Sequence, residues 1–213
     1  MKKILIVKLI VCYCFISFFA CSDNNNAKKE VFIFYYFEGY SGERGGLFAA
    51  YSRDLKTWHK LADSLITPAI GEWKIFRDPC VMRTGDGRFH LVWTCGKSGF
   101  GYANSKNGIH WNNIRFIPVV DSTRGMIFAN IWAPELYKEG KNIYVLWSST
   151  LMKDYKPPQD PDKWWTSEWN HRIYYTKTSD FQSFTPAKRF WDPGFNAIDG
   201  VIHRTDSLYY FFF

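Results

Sequence analysis

Short runs rich in apolar and aromatic residues, which favour strands, recur along the chain, and outside the N-terminus no stretch sustains the 3.6-residue apolar period of a helix. Three stretches share one arrangement: an acid beside or near a Pro or Gly opens a strand, a tight turn follows, and a strand rich in aromatic residues comes next. The stretches are residues 77–94, 132–149 and 198–213, and their acids are Asp78, Glu135 and Asp199. The pattern predicts an all-β chain in which several carboxylates converge on one axis.

A second motif recurs between these stretches. It consists of a hydroxyl residue, an Asp or Asn two positions later and an aromatic residue six positions later. The copies are Ser52-Asp54-Trp58, Ser105-Asn107-Trp111 and Thr178-Asp180-Phe184. An Asx side chain at such a position hydrogen-bonds the nearby backbone, and the aromatic residue seats the next strand on the sheet. The motif therefore predicts a turn before the last strand of each repeat.

The two patterns together define a four-stranded unit of roughly 50 to 70 residues, which is typical of a β-propeller blade. Residues 31–66 supply strands two to four of a first blade. Residues 77–120 and 132–191 form two full blades, and residues 198–213 form the first half of a fourth. About three and a quarter blades would leave sheet edges open, so we expect the chain to be truncated.

The N-terminus has the features of an export signal. Charged residues at the start precede an apolar run that is too short for a good membrane span, and the run ends in Ala20-Cys21. We expect residues 1–20 to be a lipoprotein-type signal peptide, Cys21 to be lipidated, residues 21–29 to be a flexible tether, and residues 30–213 to be an incomplete propeller catalytic domain. The alternative is an ordinary cleaved signal peptide. The predicted location is the outer membrane, cell surface or periplasm of a Gram-negative bacterium, with the lipid as the only membrane contact.

The formal net charge of +7 includes Lys2, Lys3 and Lys8 of the signal, so the exported part carries about +4. The remaining basic residues are scattered rather than clustered, which argues against nucleic acid as a partner.

Two cysteines, Cys80 and Cys95, lie in the body of the chain. A two-residue turn at Asp86-Gly87 would pair Cys80 with Trp93 rather than with Cys95. This register argues against a disulfide and predicts two buried free thiols.

The sequence resembles the five-bladed propellers of glycoside hydrolase family 43. The matching residues are Arg77-Asp78-Pro79, Trp132-Ala133-Pro134-Glu135 and Asn196-Ala197-Ile198-Asp199-Gly200. The resemblance implies an inverting hydrolase of plant-type poly- or oligosaccharides, similar to arabinofuranosidases and xylosidases. It also implies that Asp78 is the general base and that Asp199 modulates the pKa of the proton donor.

In this family the general acid is a Glu on the first strand of the next blade. That position would lie beyond Phe213, so we expect this chain alone to be an inactive fragment. The substrate-binding candidates are Arg77, Trp132, Glu135 and His203, with Glu135 as a channel-lining group rather than the acid. We expect that no cofactor is required for the reaction and that a structural Ca2+ ion could be bound. The family often carries a channel calcium ion, but the sequence contains no metal-binding spacing.

The same residues also fit two other interpretations. The Ser-x-Asx turns also resemble sialidase Asp boxes, and Phe76-Arg77-Asp78-Pro79 resembles the sialidase FRIP motif, in which the arginine would bind a substrate carboxylate. A non-catalytic, glycan-binding propeller is a further alternative. The segment 151–171, which contains three Pro and three Trp, either lines a binding site or packs on a neighbouring blade.

Overall fold

The computed structural model describes residues 31–38, 45–61, 63–119, 126–160, 162–163 and 167–213. The predicted signal peptide, Cys21 and the tether lie outside these residues. In the part of the chain that is described, no helix is both long enough and apolar enough to span a bilayer.

The strands form four antiparallel sheets in sequence order, and neighbours in sequence are neighbours in each sheet. The first sheet contains β1 (Phe32–Phe37), β2 (Leu47–Ser52) and β3 (His59–Lys60); the second contains β4 (Arg77–Arg83), β5 (Phe89–Thr94), β6 (Gly99–Ser105) and β7 (Trp111–Pro118); the third contains β8 (Trp132–Glu139), β9 (Asn142–Ser149), β10 (Arg172–Thr178) and β11 (Lys188–Trp191); the fourth contains β12 (Val201–Arg204) and β13 (Tyr209–Phe212). This architecture confirms the all-β prediction and the division into blades. A short 3-10 helix, Met152–Asp154, lies in the segment between β9 and β10.

The hydrophobic core lies between neighbouring blades. Strand β4 lies against β1 on one side and β8 on the other, and β12 lies against β8. In β5, the consecutive residues Leu91, Val92 and Trp93 are all buried, although their side chains alternate between the two faces of the sheet. Val92 packs in the core shared with the third blade, and Leu91 and Trp93 pack in the core shared with the first. Both faces of the second blade are covered at β5, which explains why these three consecutive residues are all apolar.

The Ser-x-Asx turns form as predicted. Ser105 Oγ accepts hydrogen bonds from the backbone N–H groups of Asn107 and Gly108, at 3.2 and 2.9 Å, and Asn107 Oδ1 accepts from the next two N–H groups. The turns at Ser52 and Thr178 repeat these bonds. The aromatic residue at the end of the second turn, Trp111, packs edge-on against Tyr35 of the first blade. Each turn therefore both ends a strand and places an aromatic side chain.

The hairpin between β4 and β5 differs from the prediction. Residues 84–88 join the two strands, and the N–H of Thr84 donates to the carbonyl of Arg88 at 2.9 Å, so the turn closes around residues 85–87 rather than around two residues. Cys80 consequently pairs with Val92, not with Trp93. Cys80 and Cys95 are free thiols as expected, but Cys80 is only half-buried.

The first strands of the second and third blades, β4 and β8, each begin with a bulge. We call the first strand of a blade its inner strand. In β4 the register shifts by one residue between Arg77, opposite Thr94, and Cys80, opposite Val92. In β8 the same shift falls between Trp132 and Glu135. Extra residues of this kind bend the strand and redirect a side chain. Each bulge also contains a Pro, which has no N–H to leave unpaired.

Because of these bulges, the three acids do not occupy equivalent positions in their blades, contrary to the prediction. Asp78, Ala133 and Asp199 all have a left-handed backbone, with φ of 51°, 46° and 58°. Ala133 is thus the counterpart of Asp78 and Asp199 in the third blade. The prediction that Glu135 occupies this place was wrong, because Glu135 lies two residues further along and corresponds to Cys80.

A hydroxyl group of the preceding blade binds the left-handed residue. The N–H of Ala133 donates to Thr94 Oγ1 at 2.9 Å, and the N–H of Asp199 donates to Ser148 Oγ at 2.8 Å. Thr94 and Ser148 occupy equivalent places near the ends of β5 and β9. We call these two contacts the inter-blade hydroxyl bonds.

We expect Ser148→Ala to destabilise the protein by about 1–2 kcal/mol, because it removes the acceptor of the Asp199 N–H at a fully buried serine. For a chain of this size the melting temperature should fall by about 2–4 °C per kcal/mol in calorimetry. Ser148→Thr is the matched control, since threonine fills the equivalent place in the second blade, and it should retain most of the stability. A Ser148→Ala variant as stable as the wild type would contradict the importance of this bond.

Candidate active site

Asp78 is held at the start of β4 by hydrogen bonds. Thr94 Oγ1 donates to Asp78 Oδ2 at 3.0 Å while accepting from the N–H of Ala133, so one hydroxyl joins the carboxylate to the third blade. Burial raises the pKa of Asp78 above its ordinary value, and the charge of Arg77 and the hydrogen bonds from Thr94 and Ala133 offset only part of this rise. Asp78 is therefore a desolvated carboxyl group whose ionised form has three favourable partners.

Asp199 lies two residues before β12, the strand of the fourth blade that contacts β8. Its side chain is reached by solvent, but the surrounding protein still desolvates its carboxyl group. This desolvation raises the pKa of Asp199, the negative charge of Asp78 raises it further, and Arg77 opposes both. The two acids that sequence analysis assigned to catalysis are thus close enough to interact electrostatically.

Glu135 is a third member of this group of acids. Its residue is half-buried, and its carboxyl group is enclosed by protein and hydrogen-bonded to the thiol of Cys80. Burial raises the pKa of Glu135 to about 7, with further contributions from the charges of Asp199 and Asp78. Cys80 in turn accepts a hydrogen bond from the N–H of Leu136 at 3.3 Å. Glu135 and Cys80 thus join the inner strands of two blades.

Arg77 supplies the positive charge that acts on this group. Its guanidinium carbon lies 5.7 Å from the ring centre of Phe37 in the first blade, and its charge lowers the pKa of both Asp78 and Asp199. Phe37, at the end of β1, occupies the same position in the first blade as Thr94 in the second and Ser148 in the third.

Trp132, the other predicted substrate contact, belongs to an aromatic cluster. The half-buried ring of Trp132 lies 4.9 Å from that of Trp169 and 4.8 Å from that of His171. Trp169 comes from the segment 151–171, so this segment does reach the third blade's inner strand. The other two tryptophans of the segment, Trp164 and Trp165, lie outside the described residues.

His203, by contrast, does not join the acids. It is exposed in the middle of β12, and its ring lies beside that of Tyr210, with 6.4 Å between the centres.

Several residues of the site were missed by sequence analysis. Thr94 and Ser148 follow a tryptophan at the same point of two aromatic strands, in the runs Val-Trp-Thr and Leu-Trp-Ser, and this repeat was a usable signal. His171 and Cys80 gave no comparable signal, because their roles depend on contacts between distant segments. Within the described ranges, no group of three or more His, Cys, Asp or Glu side chains is arranged to hold a metal ion.

Comparison with solved structures supports the fold. An α-L-arabinofuranosidase from Clostridium thermocellum matches with a TM-score of 0.57 at 13% identity, over 85% of this chain and 56% of the other. An arabinoxylan arabinofuranohydrolase of glycoside hydrolase family 43 from Bacillus subtilis matches with a TM-score of 0.58 at 17% identity, over 87% and 40%. A family 32 β-fructofuranosidase from Bombyx mori matches with a TM-score of 0.55 at 15% identity, over 85% and 39%.

The chain therefore spans about half or less of the length of these structures. No curated protein matches its sequence. A family model described as a probable glycosyl hydrolase domain, of the type related to glycosyl hydrolase family 43, matches residues 28–213. Since this match includes most of the chain, the protein belongs to that family of glycosyl hydrolase domains.

Proposed function

We propose that this protein is an inverting glycoside hydrolase in which Asp78 is the general base. The observation that carries the proposal is that Asp78 and Asp199 have the same left-handed backbone at the starts of the inner strands of two different blades, where the charge of Asp78 raises the pKa of Asp199. In an inverting reaction a carboxylate takes a proton from water as the water attacks the anomeric carbon, while a protonated acid roughly 6.5 to 9.5 Å away protonates the leaving oxygen. The hydrogen bonds to Asp78 favour the ionised form that a base requires.

Asp199 is proposed to act on the proton donor rather than on water. A carboxylate near a second carboxyl group disfavours the ionisation of that group and so keeps it protonated. Asp199 already experiences this effect from Asp78. The donor itself is proposed to be a Glu on the first strand of the blade that follows β12 and β13, as in the family that the sequence resembles.

The proposed substrates are plant-type oligo- or polysaccharides with arabinofuranosyl or xylosyl residues. Two of the structural neighbours are named as arabinofuranose-releasing enzymes, which supports this choice. Arg77 and Trp132 are proposed substrate contacts beside Asp78, with Glu135 lining the channel. His203 is retained as a proposed contact only for a substrate long enough to extend along β12.

We expect Asp78→Asn to reduce kcat at least about a hundredfold in the full-length protein, because the amide cannot accept the proton of the attacking water. The assay is release of arabinose or xylose from aryl glycosides, with the anomer of the first product determined by NMR. Asp86→Asn is the matched control, since Asp86 is an exposed acid in the β4–β5 loop, and it should retain activity. Wild-type turnover in Asp78→Asn would contradict the base assignment, and retention of configuration would contradict an inverting reaction.

We also expect Glu135 to make stability depend on pH between about pH 5 and 8. The folded pKa of about 7 lies above the ordinary value of 4.5, so the folded state binds more protons in this window and stability falls as the pH rises through it. Glu135→Gln copies the neutral form, so its melting temperature relative to the wild type should rise with pH.

Glu139→Gln is the control for this measurement. Glu139 lies on the same strand, and its hydrogen bond from Tyr137, together with contacts to Arg204 and Tyr209, lowers its pKa, so it titrates below the window. Its difference from the wild type should stay constant from pH 5 to 8. A constant difference for Glu135→Gln as well would contradict the raised pKa of Glu135.

A further inference from the structure

We propose that His171 is a positioning residue for Asp199. Its neutral imidazole ring binds Asn196, holds the backbone that leads to Asp199, and so keeps this acid within electrostatic reach of Asp78. The proposal rests on the glycosidase function proposed above and adds to it the side chain that fixes the place of the second acid.

Asp199 lies in the connection from β11 to β12, residues 192–200, and His171 binds this connection just before that acid. The N–H of His171 donates to Asn196 Oδ1 at 2.7 Å, and the N–H of Ala197 donates to the carbonyl of His171 at 3.3 Å. The backbone that precedes Asp199 is therefore attached to the start of β10 in the third blade.

Arg172, the first residue of β10, binds the earlier part of the same connection. Its Nε donates to the carboxylate of Asp192, and its Nη1 donates to the carbonyl of Phe195 at 3.0 Å. These contacts lie at the protein surface, whereas the contacts of His171 lie in the interior. His171 is thus the buried attachment, and it is the nearer of the two to Asp199.

Both nitrogens of the His171 ring are hydrogen-bonded, and the two bonds determine its tautomer. Asn196 Oδ1 lies 3.0 Å from Nδ1, and Asn130 Nδ2 lies 3.1 Å from Nε2. Backbone donors fix the orientation of each amide, because Asn196 Oδ1 accepts from the N–H of His171 and Asn130 Oδ1 accepts from the N–H of Thr150. An amide oxygen only accepts and an amide nitrogen only donates, so Nδ1 carries the proton and Nε2 accepts. Burial lowers the pKa of His171 to about 4, which agrees with a neutral ring.

Asn130 closes a set of hydrogen bonds around Asp199. Besides binding His171, its Nδ2 donates to the carbonyl of Ser148 at 3.4 Å, and Ser148 Oγ accepts from the N–H of Asp199. Asn130, Ser148 and His171 are all fully buried. Displacement of the Asp199 backbone would leave buried polar groups unpaired, so these bonds favour a single position of the acid.

The two asparagines occupy equivalent places in successive blades. Asn130 precedes Ala133 by three residues, Asn196 precedes Asp199 by three residues, and Ala133 and Asp199 both have a left-handed backbone. Because the His171 ring binds both asparagines, it joins the starts of the inner strands of the third and fourth blades.

The test measures the electrostatic coupling between Asp78 and Asp199 in the full-length protein, by NMR titration of the aspartate carboxyl carbons. The charge of Asp78 raises the pKa of Asp199, so Asp78→Asn should lower that pKa. In a His171→Phe background this lowering should shrink to about half or less, because Asp199 is no longer held near Asp78. The other ionisable groups that interact with Asp199, Arg77 and Glu135, are the same in all variants.

The Phe side chain keeps a ring against Trp132 and Trp169, on which His171 packs, and removes only the hydrogen bonds of the imidazole. His171→Asn retains an amide nitrogen near the place of Nδ1 and should recover most of the coupling. Asn196→Ala removes the acceptor of the same bond and should reproduce the loss, so it tests the proposal even if His171→Phe does not fold.

His90→Phe is the matched control. His90 is also a buried histidine with two bonded ring nitrogens: Nδ1 lies 2.9 Å from the hydroxyl of Tyr102 and Nε2 lies 3.1 Å from Thr84 Oγ1. Burial lowers its pKa to about 4 as well. His90→Phe should lower the melting temperature and leave the coupling unchanged. An equal loss of coupling in His90→Phe, or full coupling in both His171→Phe and Asn196→Ala, would overturn the proposal.

The pH dependence of kcat/KM separates this proposal from the proposed function. If Asp199 keeps the proton donor protonated, its displacement in His171→Phe should move the basic limb of the profile to lower pH, and His90→Phe should leave the limb in place. An unmoved limb together with a reduced coupling would contradict the role proposed for Asp199 in the reaction. It would still support the positioning of Asp199 by His171, because the coupling is measured without turnover.

Discussion

The inter-blade hydroxyl bonds are the contacts on which the position of the acids depends. A residue with a left-handed backbone costs about 1–3 kcal/mol unless it is glycine, and this chain places Asp78, Ala133 and Asp199 in that conformation at the start of successive inner strands. The hydroxyls of Thr94 and Ser148 bind the backbone of two of these residues from the preceding blade. The strained conformation is therefore stabilised by the packing of one blade against the next, and the acids are positioned by the same contacts that hold the blades together.

Thr94 shows how closely stability and chemistry are connected here. Its hydroxyl has one proton, which it donates to Asp78, and its oxygen accepts from Ala133. The Thr94 hydroxyl is fixed by both of these bonds, so it holds the Asp78 carboxylate in one orientation before substrate binds. Little conformational entropy is then lost when Asp78 orients a water molecule. In the first blade Phe37 occupies this position at the end of β1, and Arg77 of the second blade lies over its ring, so a cation–π contact joins these two blades.

The sequence predicted the blades because their signals are local. Aromatic strands and Ser-x-Asx turns depend on neighbouring residues, and the predicted blade boundaries agree with the sheets. The equivalence of Glu135 with the two aspartates was wrong because a one-residue bulge is invisible in the spacing of acids. Likewise, the β4–β5 loop was predicted one residue out of register because a bond between Thr84 and Arg88 selects a longer turn than Asp86-Gly87 suggests. The hydroxyl bonds and the stack of Trp169 on Trp132 join segments far apart in sequence, so no local pattern could specify them fully.

Asp78, Asp199 and Glu135 lie close enough to repel one another when ionised, and Arg77 offsets this repulsion for the two aspartates only. This difference decides which acid carries a proton. Arg77 is the cation whose charge acts on both Asp78 and Asp199, and like charges this close disfavour full ionisation of the group. Glu135 is the acid most enclosed by protein, and its pKa of about 7 makes it the group that is partly protonated at neutral pH. A neutral Glu135 reduces the repulsion on Asp78, which retains its bonds from Thr94 and Ala133 and its contact with Arg77. Glu135 would then contribute to the site without touching the reacting bond, by leaving the ionised state to the carboxylate proposed as the base.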